Sequence, residues 1–328
     1  MQFSFSSDQR DFAASLREML TNEFTTKQLR EIWDTGTGHD PALWARLSDM
    51  GVLSMMLPET DAGMGADFTD VILLLEELGR AAVPGPVFET MTVGALALHG
   101  TSFATGIADG SVAVTAALLG EANVPHAGMS DVVLLRDGDC VSAVERSALQ
   151  LTSVCGLDGG RSLSTILRPT GLGTIVAIEW SEAIDAGALG AAAYLLGVSS
   201  RMLEIAGDYA RERRQFGQPI GAFQAVKHLM ADALLKVEFA RPAIARAAWS
   251  MAVGDDDRSR DVSMAKVLVA DAAVKAARSA LQVHGAIGYT WECDLQLFMK
   301  KAWALIPAWG TTTFHRRRVS DAVLGVRV

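Results

Sequence analysis

At 328 residues, half of them apolar, the chain is longer than one hydrophobic core usually serves, so two or three packed units are expected. A net charge of −9 argues against general attraction to nucleic acid or anionic lipid. Cys140, Cys155 and Cys293 are far apart and form no C-x-x-C, and the six histidines include no i, i+4 pair; a disulfide framework and a metal site are both excluded as readings.

The opening "MQFSFSSDQRDF" lacks the basic region and apolar core of a secretory signal, so a cytoplasmic location is expected. Phe12, Leu16, Met19 and Leu20 then recur at helical spacing behind a Ser7/Asp8 cap. "HDPALWARLSDMG" carries Asp40 as N-cap, Pro41 in the first turn and Gly51 past the end. "DFTDVILLLEELGR" is apolar on most faces and reads as a buried helix, ended by "AAVPGP". From about residue 110 the pattern changes to short β runs: "VAVTAALL", "DVVLLR", "CVSAVE", "STILR" and "GTIVAIEW", with Asp137 and Gly138 predicting a hairpin turn.

From about residue 185 long helical runs return, at 185–212, 222–252, 257–284 and from about 291. Short connections between them favour an antiparallel bundle, and Pro242 predicts a kink in the second run. Residues 183–200 are apolar, yet they contain Asp185 and many small residues, which suits a buried bundle helix better than a membrane span. Two basic clusters, Arg211/Arg213/Arg214 and His315–Arg318, are either solvated helix ends or phosphate-binding groups. The expected organisation is a helical domain (1–108), a reduced β domain (109–182) and a four-helix bundle (183–328).

That order, with three motifs, resembles the acyl-CoA dehydrogenases. The motifs are "LWARLSDMGVLSMMLPETDAGMGADFTDVILLLEELGRAAVPGP", "YARERRQFGQPIGAFQAVKHLMAD" and "LQVHGAIGYTWECDLQLFMKKA". The resemblance implies a mainly α fold with a small middle β domain, FAD as cofactor and an acyl-CoA as substrate. It places Arg213 at the FAD pyrophosphate, Phe216 beside the flavin and Gln224 toward the adenine end, with Gln282, Gly285, Ala286 and Gly288 meeting the same FAD from another side. An arginine fork suits phosphate oxygens and glycines admit close backbone approach. Where the family usually has a second adjacent glycine, this chain has Ala286, whose methyl is expected to crowd that approach.

The resemblance also implies a glutamate base, drawn from one of two places. Here Trp309 and Gly187 occupy them. Asp185 and Glu182 lie near the second and are weak substitutes; Asp185 equally suits a helix-start charge, and so does Glu292 at its own position. The family's T-E-P, G-S-D and W-x-T-N segments are absent from residues 100–180, and no arginine stands between Arg168 and Arg201. This pattern resembles the shorter subunit of heteromeric α2β2 acyl-CoA dehydrogenases of actinobacterial steroid catabolism. It implies a longer partner subunit that supplies the glutamate, a bulky and possibly steroid-derived acyl-CoA, and electron-transfer flavoprotein as acceptor. A self-sufficient dehydrogenase using Asp185 or Glu182, and a non-catalytic scaffold on the same fold, stay open as alternatives.

Overall fold

The computed structural model describes residues 4–167 and 173–325; Arg168 lies outside them. The N-terminal part holds helices α1 (Ser7–Glu23), α2 (Thr26–Thr35), α3 (Pro41–Asp49) and α4 (Phe68–Arg80). The cap of α1 is Ser6 rather than Ser7 or Asp8. Its hydroxyl accepts from the Gln9 amide while the Gln9 side chain accepts from the Ser6 amide, a reciprocal box that sets the helix start one residue earlier. Asp40 accepts from the amides of Ala42 and Leu43 with Pro41 in the first turn of α3, as the sequence predicts.

Beyond α4 the chain runs through α5 (Val87–Glu89), a π turn (Thr90–Gly94), α6 (Ala95–Leu98) and α7 (Ala104–Ala108). Thr90 ties the π turn to the first strand, its Oγ1 accepting from the Val114 amide at 3.0 Å and donating to the Val114 carbonyl at 3.2 Å.

Two small sheets follow. The first, in the order β1-β3-β4-β7, joins β1 (Val114–Ala117), β3 (Val132–Asp137), β4 (Cys140–Glu145) and β7 (Thr174–Val176). The second, in the order β2-β6-β5, joins β2 (Val124–Pro125), β6 (Leu163–Leu167) and β5 (Gln150–Val154). The β3–β4 hairpin pairs Asp137 with Cys140, so its two turn residues are Gly138 and Asp139, one step beyond the expected Asp137–Gly138. Strand β3 alternates between two cores: Val132 and Leu134 join the main one, whereas Val133 and Leu135 join a small one with Val124, Val144 and Leu149.

The C-terminal bundle is built on α8 (Trp180–Glu212), followed by the hairpin of β8 (Arg214–Gln215) and β9 (Gln218–Pro219), then α9 (Gln224–Ala252), α10 (Arg258–His284), α11 (Leu295–Leu305) and α12 (Thr312–Leu324). Helix α9 is continuous through Pro242. Helix α8 packs against α4, α9, α10 and α11 and is the centre of the molecule. It alone among the described residues is long and apolar enough to cross a membrane, but 94% of its apolar window is buried inside the protein.

Small residues on α8 and α4 make that packing possible. A Cβ added to Gly197 would fall on the Glu76 carbonyl, and one added to Gly79 on the Tyr194 carbonyl, so the two helix backbones touch. Tyr194 closes the crossing by donating its hydroxyl to the Val83 carbonyl at 2.6 Å.

Candidate functional site

Two surface motifs come together where α8 and α10 end. Tyr209 stacks on His284 with ring centroids 4.4 Å apart, holding the start of the Arg213–Gln224 segment beside the Gly285–Tyr289 turn. Within the first motif, Phe216 and Gly217 at the hairpin tip have φ of +52° and +80°. The Phe216 ring is 92% exposed, touched only edge-on by Phe223 at 6.1 Å. Arg213 and Gln224 are exposed too. An aromatic ring held in water by a left-handed tip gives the isolated chain no burial energy, which is the signature of a group built to meet something else.

In the second motif Gln282, Gly285 and Ala286 are exposed. Gly285 has φ +63° and open space where a Cβ would be. Gly288 differs, being buried, with Leu281 and His284 closing on the place of a Cβ; it is a packing residue in this chain.

The two expected glutamate positions converge on one volume. Trp309 is 6% exposed and its indole lies over the backbone of Gly187, so that a Cβ on Gly187 would overlap the ring. The Trp309 backbone is left-handed, with φ +57°. Three buried groups hold it there. His315 Nε2 donates to the Trp309 carbonyl at 2.9 Å and its Nδ1 accepts from Ser263 Oγ at 3.1 Å, a tautomer set by the two partners. Burial, helped by the nearby Lys266 cation, lowers the His315 pKa to about 3. Lys266 itself donates to the carbonyls of Leu305 and Ile306 at 3.2 and 2.8 Å, capping α11 just before the loop, and burial lowers its pKa to about 7.

Asp185 is engaged in a buried ion pair. Its carboxylate is fully buried, accepts from Arg318 Nη2 at 2.7 Å and from the Ser259 hydroxyl, and so ties α8 to α10 and α12. Glu182 is half-buried one turn before Gly187. Of the second basic cluster, His315 and Arg318 are used internally, Arg316 pairs with Asp271 at 3.1 Å, and Arg317 is exposed, 3.7 Å from Asp321. Glu292 is exposed, and the Arg30 guanidinium donates to its carbonyl at 3.0 Å.

Sequence reasoning missed a buried polar group around the Asp158–Ser162 turn. Lys301 Nζ sits 2.9 Å from Asp158 Oδ2. Glu89, 1% exposed, has no hydrogen-bond partner on either carboxylate oxygen apart from the neighbourhood of its own amide. Burial raises its pKa to about 7 against the pull of Arg161 and Lys301. The only signal was a single charge inside the apolar run "PVFETMTVGALAL".

A helical layer, a small two-sheet middle unit and a bundle centred on one buried helix define the architecture of an acyl-thioester dehydrogenase. Residues 6–103 match the N-terminal domain of acyl-CoA dehydrogenases and residues 179–324 their C-terminal domain. The acyl-CoA dehydrogenase IpdE2 of Mycolicibacterium smegmatis is 30% identical over 298 residues, covering 90% of this chain and 92% of the relative. FadE27 of Mycobacterium tuberculosis is 28% identical over 366 residues, covering 97% and 98%. Among solved structures, one chain of the ChsE4–ChsE5 complex from Mycobacterium tuberculosis superposes with a TM-score of 0.89 at 24% identity over the whole of both chains. Butyryl-CoA dehydrogenase of Megasphaera elsdenii gives 0.86 at 19% identity, covering 99% of this chain and 100% of the other. The chain belongs to the acyl-CoA dehydrogenase family, whose cofactor is FAD.

Proposed function

We propose that this chain is the FAD-contacting, base-lacking subunit of a two-chain acyl-CoA dehydrogenase. The observation that carries the reading is the Trp309 indole seated on Gly187, because it leaves both expected base positions without a carboxylate and fills the space either would use. α,β-Dehydrogenation needs a carboxylate to take the α-proton, while FAD, when bound, takes the β-hydride. In this reading Arg213, Gln224, Gln282 and the open backbone at Gly285 hold the cofactor, Phe216 packs against it, and a longer homologous partner brings the base, in an α2β2 assembly.

A bulky, steroid-derived acyl-CoA as substrate and electron-transfer flavoprotein as acceptor complete the proposal. Support comes from the similarity to a chain of the ChsE4–ChsE5 complex and to a chain of the Tcur3481–Tcur3483 steroid dehydrogenase, which has a TM-score of 0.87. The location fitting this role is cytoplasmic. The rival self-sufficient reading through Asp185 is disfavoured by its pairing with Arg318 and the Ser259 hydroxyl, which engage both of its carboxylate oxygens inside the protein.

The test is the visible spectrum of the chain purified alone and after co-expression with an adjacent longer homologue. We expect a colourless lone chain and a yellow pair bleached by acyl-CoA. A lone chain that is yellow and bleached by acyl-CoA overturns the division of labour, and a pair that binds no flavin leaves the scaffold reading standing.

A further inference from the structure

The Gly285–Tyr289 turn is short and, apart from Gly288, exposed, and Gly285 opens it with a left-handed backbone. An exposed turn has few packing contacts of its own to fix where it stands. Its leading end is held by His284, whose ring stacks on Tyr209 and whose Nδ1 donates to the Ala280 carbonyl at 2.8 Å. Its trailing end is held from the N-terminal helical layer.

Leu29 and Ile32 bury one face of α2, and Arg30 and Trp33, three residues apart, lie together on a neighbouring face. That face meets the chain just after the turn. Arg30 Nη1 donates to the Trp291 carbonyl at 2.7 Å, Nη2 to the Glu292 carbonyl at 3.0 Å and Nε to Asp294 Oδ1 at 2.7 Å. The Trp33 and Trp291 rings meet at 6.3 Å, and Lys300 Nζ lies 5.1 and 4.9 Å from their centroids. Lys300 also donates to Gln296 Oε1 at 2.9 Å, and Gln296 Nε2 donates to the Trp291 carbonyl at 2.7 Å. The Trp291 carbonyl therefore accepts from both sides, from Arg30 and from Gln296.

An arginine–carboxylate pair at a surface contributes little by itself. Arg46 is such a pair: its two bonds, at 2.9 and 3.0 Å, both go to the Glu23 carboxylate. Arg30 differs because two of its three bonds end on main-chain carbonyls, which locates backbone instead of neutralising charge. The planar fork reaches all three acceptors at once, a geometry an ammonium lacks.

We propose that Arg30 is a positioning residue for the cofactor surface: by gripping Trp291, Glu292 and Asp294 it fixes the Gly285–Tyr289 turn and couples that surface to the N-terminal helical layer. The part played by the turn rests on the function proposed above; the grip itself does not. Arg30 acts through the turn, so its removal should weaken flavin binding without removing any group assigned to the flavin.

The test has two readouts, hydrogen exchange of the full chain over residues 285–293 and the FAD dissociation constant of the co-expressed complex, both taken well below the unfolding temperature. We expect Arg30→Ala to speed exchange in that segment at least tenfold and to raise the dissociation constant at least fivefold. Arg30→Lys should recover less than half of either change, and Arg46→Ala should match the wild type in both. Unchanged exchange in Arg30→Ala overturns the grip, and faster exchange with an unchanged dissociation constant overturns the positioning role. Full recovery by Arg30→Lys, or an equal effect of Arg46→Ala, also overturns it, since charge or general stability would then account for the loss. If the wild-type complex binds FAD and Arg30→Ala binds it equally well, only this inference fails; if the wild-type complex binds no FAD, the proposed function falls with it.

Discussion

Glu89 shows how one side chain can couple burial to pH. Its pKa is raised from 4.5 to about 7 because desolvation outweighs the attraction of Arg161 and Lys301. Between those two values the folded protein holds a proton that the unfolded chain has lost, so this group's contribution to stability is present at acid pH and is lost as pH rises through 7. A shift of that size corresponds to something on the order of 3 kcal/mol. Glu89→Gln cannot titrate. Urea unfolding at pH 5 and pH 7.5 should therefore show the wild type losing a few kcal/mol relative to Glu89→Gln on going to the higher pH; equal losses in both would show that Glu89 is not the titrating group. The other buried titrating groups, among them His126, Lys266 and His315, are common to both proteins and cancel in the difference. None of this was legible in the sequence, because Glu89, His126, the Asp158–Arg161 turn and Lys301 come from four separate segments. Local pattern reports which face of an element is apolar; it is silent on which distant charge will be sealed beside which.

At the scale of elements, periodicity carried most of the reading. The long helices and the β3–β4 hairpin follow from apolar spacing and turn residues, with ends displaced by a few positions. Strands β2 and β5 were missed for a physical reason: β2 has two residues, and β5 (Gln150–Val154) has no fully buried face to impose an apolar alternation. The small residues of α8 could either line open space or let a neighbouring helix come close. At Gly197 the answer is close packing, since the Glu76 carbonyl of α4 occupies the space of a side chain. Gly207, on the same helix, meets only the Arg211 guanidinium at 3.9 Å. Gly197→Ala should therefore force the helices apart and cost more than about 2 kcal/mol, while Gly207→Ala should be neutral or stabilising by up to about 1 kcal/mol through helix propensity. Thermal unfolding of the two variants side by side decides it; similar midpoints would mean that the helices separate without strain.

The whole molecule presents an uneven surface. Besides Phe216, the side chains of Leu234, Leu235 and Phe239 on α9 are exposed, although the chain buries a large continuous core elsewhere. Apolar groups left outside an otherwise well-filled fold suit a subunit of an assembly. Phe216→Ala should leave the unfolding free energy of the lone chain within about 0.5 kcal/mol, because an exposed ring has little to lose. The same change should lower flavin retention by the co-expressed pair, read as the ratio of flavin to protein absorbance after gel filtration. Retention equal to wild type would remove Phe216 from the cofactor surface. The proposed cofactor residues Arg213, Phe216 and Gln224 come into view together in the sequence because they lie close together on one segment. It carried the catalytic part only as an absence.

The indole resting on Gly187 makes that absence hard to undo. Restoring a carboxylate at position 187 alone drives it into the ring, and exchanging Trp309 alone for glutamate removes the bulk that fills the space and leaves a charge where His315 and Lys266 have organised a dry loop. Introducing a base at position 187 therefore calls for a change at Trp309 as well. Under the function proposed above, the packing of Trp309 on Gly187 would itself keep the chain reliant on a base from another subunit.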